Sequence, residues 1–483
     1  MKILLLKPRL TAFHRQASPP LGLLYLSAVL KKAGCKEVRV LHLDALGLGE
    51  EDVEKELRAF RPDMVGLSAI TAEGKSMHSL ARLVKKVSPV TLVVAGGPHP
   101  TGYAADCMAN PAIDIAVRGE GELTLLEIVK NREAGKSFDG IRGITHRRGD
   151  ETVTEPDRDF IEDLDGLPYP DWDAIDYGPY GRLVPQTPVL YGKKYATLLT
   201  SRGCPYHCTF CHNVMGKRFR AHSPQRVLAE IAALRARLDV TDIEIADDTF
   251  NFDRERTLAI LRGLAAHLPT ASPQGTPHCG FPYAAQPGLK LYMCGVRVDI
   301  LDEETIDLMA RAGVVYVAAG LESGSTRMQE VLKKNIDLEK FKTLSGYLTK
   351  RGIFMTVGFM LGSPGETPAE VLTTIRYAWS LKSHTAMFAF CHGYKGTELG
   401  DGLGADKALG PDTDTGTFYG SRVRVNCSSI GAGKLAAAKW LANAGFYLNP
   451  ARLYRIGRDL PNPGLRGLLL LLRKFTERTL LLR

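Results

Sequence analysis

The sequence predicts an α/β protein in which a doubly wound sheet is followed by an incomplete (β/α)6 barrel and a mainly helical C-terminal region. Short apolar runs alternate with helix-like stretches over residues 1–135, which is typical of a doubly wound domain. The same alternation recurs about six times over residues 196–395, which is typical of a partial barrel. Residues 396–483 lack it. The expected domains are 1–140, a linker with a hairpin at 141–195, the barrel at 196–395 and the helical region at 396–483.

The composition indicates a globular chain with several cores. The 483 residues are 45% hydrophobic, which is enough for two or three domains. Nine cysteines over this length do not make a disulfide framework, and the apolar run within Met1–Lys7 is too short for a signal sequence. No segment has the length of a membrane span. The expected compartment is therefore the cytoplasm.

The charge is unevenly distributed along the chain. The net charge is +9, and residues 451–483 alone carry eight Lys or Arg against two acids, a net +6. Leucines accompany these charges, and no basic stripe is interleaved with aromatic residues. Nucleic-acid binding is therefore not expected.

Five short apolar runs of the first domain are predicted as buried parallel strands: Ile3–Leu6, Val38–Leu43, Met64–Ser68, Leu92–Ala95 and Ile115–Val117. Helices are predicted between them, for example over Gly22–Lys32 and Lys75–Lys86. Ligands of such sheets bind at the carboxyl ends of the strands. Small and polar residues occupy those ends here: Ser68, Thr71, Gly96, Gly97, His99, Thr101, Gly119 and Glu120. Ordinary turn residues are the alternative interpretation.

A bridge follows the first domain, with a polar hairpin predicted over Gly143–Thr154 and then a loop rich in Pro, Asp and aromatic residues. Ser223 is predicted to cap the first helix of the barrel. Six barrel strands are predicted: Ala196–Thr200, Ile243–Ala246, Leu291–Val296, Val314–Ala319, Phe354–Met360 and Ala386–Phe390.

Three cysteines lie close together directly after the first barrel strand. Cys204, Cys208 and Cys211 have the spacing C-x-x-x-C-x-x-C. Closely spaced thiolates hold soft metals and iron–sulfur clusters. Structural zinc needs a fourth ligand, which His207 or His212 would supply. The aromatic residue before the last cysteine, Phe210, and the preceding strand favour a cluster over zinc.

This segment resembles the signature of the radical S-adenosylmethionine (SAM) enzymes. The resemblance implies that Cys204, Cys208 and Cys211 hold three irons of a [4Fe–4S] cluster, and that the fourth iron chelates SAM. It also implies a TIM-like partial barrel and places SAM at the strand ends. The residues implied to bind SAM are Phe210, Asp247, Arg297, Glu322, Ser323, Gly358 and Gly362.

Specific roles follow from the chemistry of these groups. Arg297 is expected to pair with the methionyl carboxylate, and Glu322 or Ser323 to hydrogen-bond the ammonium group or the ribose. Gly358 and Gly362 lie in a G-x-x-x-G-x-x-x-E stretch that resembles the family's adenine-supporting pattern. An ordinary salt bridge at a helix entry is the alternative for each charged residue.

The first domain resembles the Rossmann-like cobalamin-binding domain that precedes many radical SAM barrels. The matching segments are Pro19–Leu24, Asp63–Ser68, Gly96–Thr101 and Arg118–Thr124. The chain lacks the D-x-H-x-x-G motif by which other cobalamin proteins supply a histidine to cobalt. The lower cobalt face is therefore expected to be empty or to hold water or another group, with His99 lining the pocket. A domain that has lost cobalamin is the alternative.

The resemblance implies an enzyme that cleaves SAM reductively to a 5′-deoxyadenosyl radical and methylates an unactivated carbon or phosphorus centre through methylcobalamin. The alternative within the family is cyclisation, ring rearrangement or oxidation of a lipid or tetrapyrrole-like substrate without methyl transfer. A non-catalytic cobalamin or metal sensor is the alternative from another class. The expected partners are a small molecule, such as a lipid or natural-product intermediate, and a low-potential electron donor such as flavodoxin or ferredoxin.

Three further segments complete the chain. Pro269–Gly288 is a Pro- and Gly-rich insertion predicted as a surface loop, and no auxiliary cluster is expected. A helix is predicted over Lys434–Leu448. Leu465–Leu482 combines a five-leucine run with basic residues, which is typical of an amphipathic helix on an anionic membrane surface. A helix that covers the barrel is the alternative.

Overall fold

The computed structural model describes residues 1–10, 18–180, 187, 189, 194–211, 214–266, 289–403, 408–409 and 425–461. They belong to two compact units, one made mainly of Met1–Gln186 and the other mainly of Thr187–Asn213, Lys217–Leu409 and Thr417–Arg483. The insertion predicted over Pro269–Gly288 and the helix predicted over Leu465–Leu482 lie outside the described residues.

The first unit is built on a seven-stranded sheet with the order β2-β1-β3-β4-β5-β6-β7. Its elements are β1 (Lys2–Lys7), α1 (Leu21–Lys32), β2 (Glu37–His42), α2 (Leu43–Leu46), α3 (Glu50–Phe60), β3 (Met64–Ser68), α4 (Gly74–Val87), β4 (Leu92–Gly96), α5 (Pro98–Gly102), α6 (Ala104–Ala109), β5 (Ile115–Val117), α7 (Glu122–Glu133), β6 (Ile144–Arg148) and β7 (Glu151–Thr154). Strands β1 to β5 pair in parallel, and their apolar residues form a buried core with the flanking helices.

The five strands predicted for the first domain are confirmed, with ends that differ by one residue at most. The predicted hairpin over Gly143–Thr154 is confirmed as β6 and β7. The hairpin is part of the sheet of the first unit and not only a linker, because β6 pairs antiparallel with β5 and extends the sheet at its edge. Sequence periodicity does not predict such a pairing, since it depends on contacts between segments far apart in the chain.

The second unit contains six parallel strands in the order β15-β14-β13-β12-β11-β8. Its elements are β8 (Tyr195–Leu198), β9 (Ser201–Arg202), β10 (Arg220–Ala221), α8 (Pro224–Leu238), β11 (Asp242–Ile245), α9 (Arg254–Ala266), β12 (Lys290–Met293), α10 (Glu303–Arg311), β13 (Val314–Glu322), α11 (Thr326–Val331), α12 (Leu338–Lys350), β14 (Phe354–Leu361), α13 (Pro368–Ser380), β15 (Thr385–Phe390), β16 (Gly393–Tyr394), α14 (Glu398–Gly402), β17 (Ala408–Leu409), α15 (Ala432–Tyr447) and α16 (Pro450–Asp459).

All six predicted barrel strands are confirmed, and the order of the sheet follows the order of the chain. Strands β8 and β15 are its two edges, so the described sheet is open as an incomplete barrel requires. Ser223 caps α8 as predicted, because its side chain accepts a hydrogen bond from the backbone N–H of Arg226. The parallel arrangement brings the carboxyl ends of all six strands to one rim of the unit.

The helices α15 and α16 are held firmly against the end of the barrel. The indole N–H of Trp379 in α13 donates to the carbonyl of Ala442 at 3.0 Å. His384 accepts from the backbone N–H of Met355 through Nδ1, so its Nε2–H donates to Asp459 at 2.9 Å. The helix predicted over Lys434–Leu448 is thereby confirmed as α15. None of the helices in the described ranges is both long enough and apolar enough to cross a bilayer.

Candidate active site

The three predicted cysteine ligands lie in one loop that leaves β8 at the carboxyl rim of the barrel. The Sγ atom of Cys204 is 3.1 Å from the hydroxyl of Thr249, which follows β11. The backbone N–H of Cys211 donates to the carbonyl of Cys208 at 3.1 Å, which closes a turn between these two ligands. Thr209, between them, donates its N–H to the carbonyl of Leu332. The loop is therefore positioned by several elements of the barrel.

The spacing of the three thiols distinguishes between the two metal sites that the sequence left open. In a tetrahedral zinc site, thiolate sulfurs lie about 3.8 Å apart, because each Zn–S bond is about 2.3 Å long. In the described part of the chain, two groups of three His, Cys, Asp or Glu side chains bring their ligand atoms within 4.8 Å of one another, and neither contains a cysteine. In the described structure the three thiols therefore do not all lie within 4.8 Å of one another, as they would around a single zinc ion.

The surroundings of the loop favour the neutral form of two of the three thiols, those of Cys208 and Cys211. Burial raises the pKa of Cys208, and the neighbouring Cys204 adds to the rise, whereas Lys334 opposes it. Burial raises the pKa of Cys211 to about 11, with a further contribution from Cys208. Metals bind the thiolate form, so loading of the site releases protons.

Asp247 at the end of β11 organises the start of the cysteine loop. Its carboxylate accepts from the backbone N–H of Thr200 at 2.6 Å, from the Thr200 hydroxyl at 2.5 Å and from the Ser201 hydroxyl at 2.6 Å. The side chain is 3% exposed. These contacts support a positioning role within the barrel, and the predicted contact of Asp247 with SAM stays a prediction.

Arg297 lies beside the cysteine loop, but its guanidinium group has protein partners. Nε and Nη2 donate to Asp299 at 3.0 to 3.2 Å, and Nη2 also donates to the carbonyl of Asn335 at 2.9 Å. The guanidinium stacks on Tyr206 of the loop, with its carbon 3.9 Å from the ring centroid. Arg297 therefore supports the loop directly, and its predicted pairing with a methionyl carboxylate stays a prediction.

Glu322 and Lys334 form an ion pair next to the cysteine loop. Glu322 ends β13 with a left-handed φ of 69°, which is costly for a residue with a side chain. Its Oε1 atom is 3.4 Å from Nζ of Lys334, and both side chains are less than one-fifth exposed. Nζ of Lys334 also lies 5.9 Å from the ring centroid of Phe210. Glu322 therefore offers a hydrogen-bond acceptor and Lys334 a donor, and the backbone at Glu322 is strained.

Sequence analysis missed Lys334, because its neighbour Lys333 has the same chemistry and nothing in the pattern separates them. The turn after α11 makes the difference. Lys333 and Asn335 both have left-handed φ angles, of 49° and 50°. This turn directs Lys333 outward to Glu398 at 2.7 Å and Lys334 inward to Glu322.

The predicted glycine and serine positions divide into two groups. Gly358 on β14 pairs with Gly320 on β13. Two adjacent strands therefore lack side chains at the positions next to Glu322. A Cβ atom on Gly320 would lie only 2.4 Å from Oε1 of Glu322. Ser323 is 1% exposed, and its hydroxyl lies 3.1 Å from the Thr374 hydroxyl. The glycines thus leave room at the strand ends, while Ser323 is engaged within the fold.

Gly362 allows the turn that follows β14. Its φ is +82°, and a Cβ atom there would lie 2.8 Å from Leu435 of α15. Glu366 closes the turn by accepting from the backbone N–H groups of Gly362 at 2.7 Å and Ser363 at 3.1 Å. Burial raises the pKa of Glu366 to about 7 in spite of these two bonds. The predicted adenine-supporting segment is therefore a tight turn packed against α15.

In the first unit, the structure brings together five of the eight residues predicted to bind cobalamin. Ser68 and Gly96 are paired at the carboxyl ends of β3 and β4. The Thr101 hydroxyl donates to the carbonyl of Gly97 at 2.8 Å and accepts from the N–H of Gly119 at 3.1 Å. Gly97 has a φ of +94°, and a Cβ atom there would lie 3.1 Å from the Ser68 hydroxyl. This edge combines bare backbone with hydroxyl groups, which suits the approach of a large polar ligand.

The other three residues predicted to bind cobalamin are His99, Glu120 and Thr71. The ring of His99 is fully buried, stacks on Tyr103 at 5.1 Å between centroids and approaches Asp106 at 3.5 Å. Glu120 is 8% exposed and accepts from the backbone N–H of Ile161 at 2.7 Å. Thr71 begins a short 3-10 turn before α4. The contacts of His99 and Glu120 are structural, and their predicted roles in cofactor binding stay predictions.

Two family models match the chain in the regions just described. The B12 binding domain matches residues 14–129. The radical SAM superfamily matches residues 198–378, which include the last residue of β8, the cysteine loop and the strands β9 to β14.

Similar curated proteins include methyltransferases. An uncharacterized methyltransferase of Pyrococcus horikoshii, PH0819, is 31% identical over 407 residues, which cover 83% of this chain and 82% of the relative. The cytidylyl-2-hydroxyethylphosphonate methyltransferase of Streptomyces wedmorensis is 29% identical over 82% of this chain and 80% of its own length.

Among solved structures, the fold is similar to that of the radical S-adenosylmethionine methyltransferase TsrM from Kitasatospora setae, determined with cobalamin and a [4Fe–4S] cluster bound. The TM-score is 0.65 at 22% identity, covering 81% of this chain and 75% of the other. This likeness establishes the fold of the chain.

Proposed function

Because this chain belongs to the radical SAM enzymes that carry a B12-binding domain, we propose that it transfers a methyl group from SAM to an unactivated carbon or phosphorus centre of a small molecule. The observation that carries the proposal is its similarity, over more than four-fifths of its length, to two proteins named as methyltransferases. The cofactors are a [4Fe–4S] cluster, SAM and cobalamin. When bound, the cluster supplies the electron that cleaves SAM to a 5′-deoxyadenosyl radical, and cobalamin supplies the methyl carrier.

Cys204, Cys208 and Cys211 are the residues that would hold the cluster. Their three thiols do not all lie within 4.8 Å of one another, and three ligands leave one iron of a four-iron cluster open for SAM. Leu332 is buried in an apolar cluster beside the loop, and the partly buried Phe210 packs against that cluster. Such a surface excludes water from the site, which protects a reactive radical.

Glu322 and Lys334 are the residues that we assign to the two ends of the methionyl group. The Glu322 carboxylate is suited to the ammonium group and the Lys334 ammonium to the carboxylate, since each then keeps an opposite charge nearby. Lys334 joins Arg297 as a candidate partner of this carboxylate, and each of the two cations also has an acidic partner within the protein. Gly320 gives room to the Glu322 side chain itself, and the bare backbone of Gly358 on the next strand is where we place a flat group such as adenine.

The edge formed by Ser68, Gly97 and Thr101 is the part of the first unit that we assign to cobalamin. Its small side chains and partly accessible backbone keep bulky groups away from the strand ends. Reduction of the cluster requires a low-potential electron donor, and flavodoxin or ferredoxin is the class of partner that we propose.

The proposal predicts a methylated product. The purified enzyme is reduced anaerobically with cobalamin, SAM carrying an isotopic label in its methyl group, and a metabolite extract, lipids included, of a strain that lacks the gene. We expect a compound that gains one labelled methyl group, together with 5′-deoxyadenosine and S-adenosylhomocysteine. Omission of cobalamin should abolish the labelled product, because the methyl carrier is then missing.

Two outcomes contradict methyl transfer in different ways. A product that loses hydrogens and carries no label would establish cyclisation or oxidation instead. Tight binding of SAM and cobalamin without any 5′-deoxyadenosine would indicate a sensor rather than an enzyme. The heat-treated enzyme is the control for non-enzymatic methylation in the extract.

A further inference from the structure

The outer face of α15 and α16 carries a group of exposed large apolar side chains. We define this α15–α16 face by five residues: Trp440, Leu441, Leu448, Leu453 and Tyr454. Their exposed fractions are 63%, 38%, 77%, 53% and 72%. Twelve large hydrophobic residues are exposed in the described part of the chain, and these five fall within fifteen consecutive positions. Single exposed apolar residues are ordinary, whereas five on two consecutive helices are consistent with a contact surface.

The face is fixed in its outward orientation by contacts on the opposite side of the same helices. Leu435 and Phe446 of α15 are buried against the barrel, and Trp379 donates to the carbonyl of Ala442. Arg452 of α16 is 2% exposed and donates to the carbonyls of Trp379 and Leu381 at 3.0 and 2.8 Å. Rotation of either helix to cover its apolar residues would break these bonds.

The part of the sequence that carries the face is rich in basic residues. Residues 425–458 contain five Lys or Arg and no Asp or Glu. Over residues 425–483 there are ten basic residues against two acidic ones, a net +8 out of +9 for the whole chain. One of the two acids, Asp459, is 1% exposed and paired with His384 and Arg458. Lys434, Arg455 and Arg458 remain at least partly accessible.

We infer that the α15–α16 face docks on the surface of an anionic lipid bilayer. Aromatic and leucine side chains beside basic residues are the composition of a surface that lies in the headgroup region. Trp and Tyr are favoured there, because one part of each ring is apolar and the other can hydrogen-bond. Basic residues add electrostatic attraction to anionic lipids. The leucine-rich basic segment Leu465–Leu482 follows directly in the sequence and continues the same composition.

Docking would bring the barrel rim close to the bilayer. The inner side of α15 lies at the carboxyl ends of β14 and β15. Leu435 is next to Gly362 after β14, and Nζ of Lys439 lies 4.8 Å from the ring centroid of Phe390 in β15. The side of α15 opposite the apolar face therefore contacts the turn that holds Gly362, the predicted adenine-supporting segment.

The test uses the full chain and vesicles of phosphatidylcholine with or without phosphatidylglycerol. We expect the protein to float with the anionic vesicles, to remain unbound with phosphatidylcholine alone, and to be released by salt. Tryptophan emission should shift to shorter wavelength on binding, measured in the Trp379→Phe variant so that Trp440, 63% exposed, is observed beside only the buried Trp172, 5% exposed.

The double substitution Leu448→Asp with Tyr454→Asp should weaken vesicle binding about tenfold or more, because it removes apolar contacts and places negative charges against anionic lipid. Val90→Asp is the matched control. Val90 is 80% exposed but lies in the first unit, so its substitution should leave vesicle binding unchanged. Circular dichroism and the thermal midpoint verify that each variant is folded.

Several results would overturn the inference. Equal flotation of the wild type and the folded double variant would exclude this face as the lipid contact. Trp440 emission that is already shifted in the free protein and insensitive to vesicles would show that residues 462–483 cover the face. A dimer that the double variant converts to a monomer would make the face a subunit interface. None of these results depends on methyl transfer, so they leave the proposed function unaffected.

Discussion

Replacement of Cys208 by alanine should abolish the reductive cleavage of SAM. We expect 5′-deoxyadenosine formation to fall by about 1000-fold or more, the scale on which loss of a group essential to the chemical step acts. Cys208 is the central thiol of the C-x-x-x-C-x-x-C loop, and it is joined by a backbone hydrogen bond to the turn that carries Cys211. The two remaining thiolates would bind only two of the four irons. The cluster would then have two irons without a protein ligand instead of the one that SAM requires. Iron content and 5′-deoxyadenosine are the measurements.

Cys35→Ala is the control for this substitution. Cys35 is a half-buried free cysteine in the first unit and has no place in the candidate active site. Its substitution should leave both the iron content and the cleavage of SAM unchanged. Turnover by the Cys208 variant at the wild-type rate would disprove the assignment of the cluster.

Replacement of Gly295 by alanine should disrupt the support of the cysteine loop. Gly295 follows β12 with a φ of +71°, and a Cβ atom there would lie 2.0 Å from the backbone carbonyl oxygen of Asp247. A side chain in this position combines backbone strain with overpacking, for a loss of about 3 kcal/mol or more in the free energy of unfolding. We expect the thermal midpoint to fall by about 6 °C or more.

The effect should extend to the metal site, because the displaced backbone carries the carboxylates that position the loop. Asp247 accepts from Thr200 and Ser201, and Asp248 accepts from the N–H of Gly203, immediately before Cys204. Iron bound after anaerobic reconstitution should therefore fall as well. Gly433→Ala is the control, since Gly433 lies in α15 with nothing within 4 Å of a Cβ atom. A Gly295 variant with wild-type midpoint and iron content would refute this account of the loop.

The sequence predicts elements with regular periodicity well and long-range pairings poorly. The six barrel strands and the five parallel strands of the first unit follow from short apolar runs. The antiparallel addition of the Gly143–Thr154 hairpin to β5 does not, because nothing local specifies the partner of an edge strand. Residue types at strand ends are also visible in the sequence, which is why Glu322, Gly358 and the cysteine loop are found at the same rim.

The orientation of individual side chains could not be predicted. His99 lies in a glycine-rich loop that suggests a ligand contact, yet its ring is buried against Tyr103 and Asp106. Arg297 has the chemistry to bind a carboxylate, and Asp299 two residues later already provides one. Lys334 differs from Lys333 only through the left-handed turn that surrounds it. In each case a tertiary contact selects among side chains of suitable chemistry.

The claim on which the whole account depends is that three thiolates hold a four-iron cluster with one iron open to SAM. Electron paramagnetic resonance of the anaerobically purified, reduced protein, recorded with and without SAM, tests this claim most directly. The account predicts the signal of a reduced [4Fe–4S] cluster whose shape changes when SAM is added. A protein without iron and sulfide, or a cluster signal that SAM leaves unchanged, would contradict it.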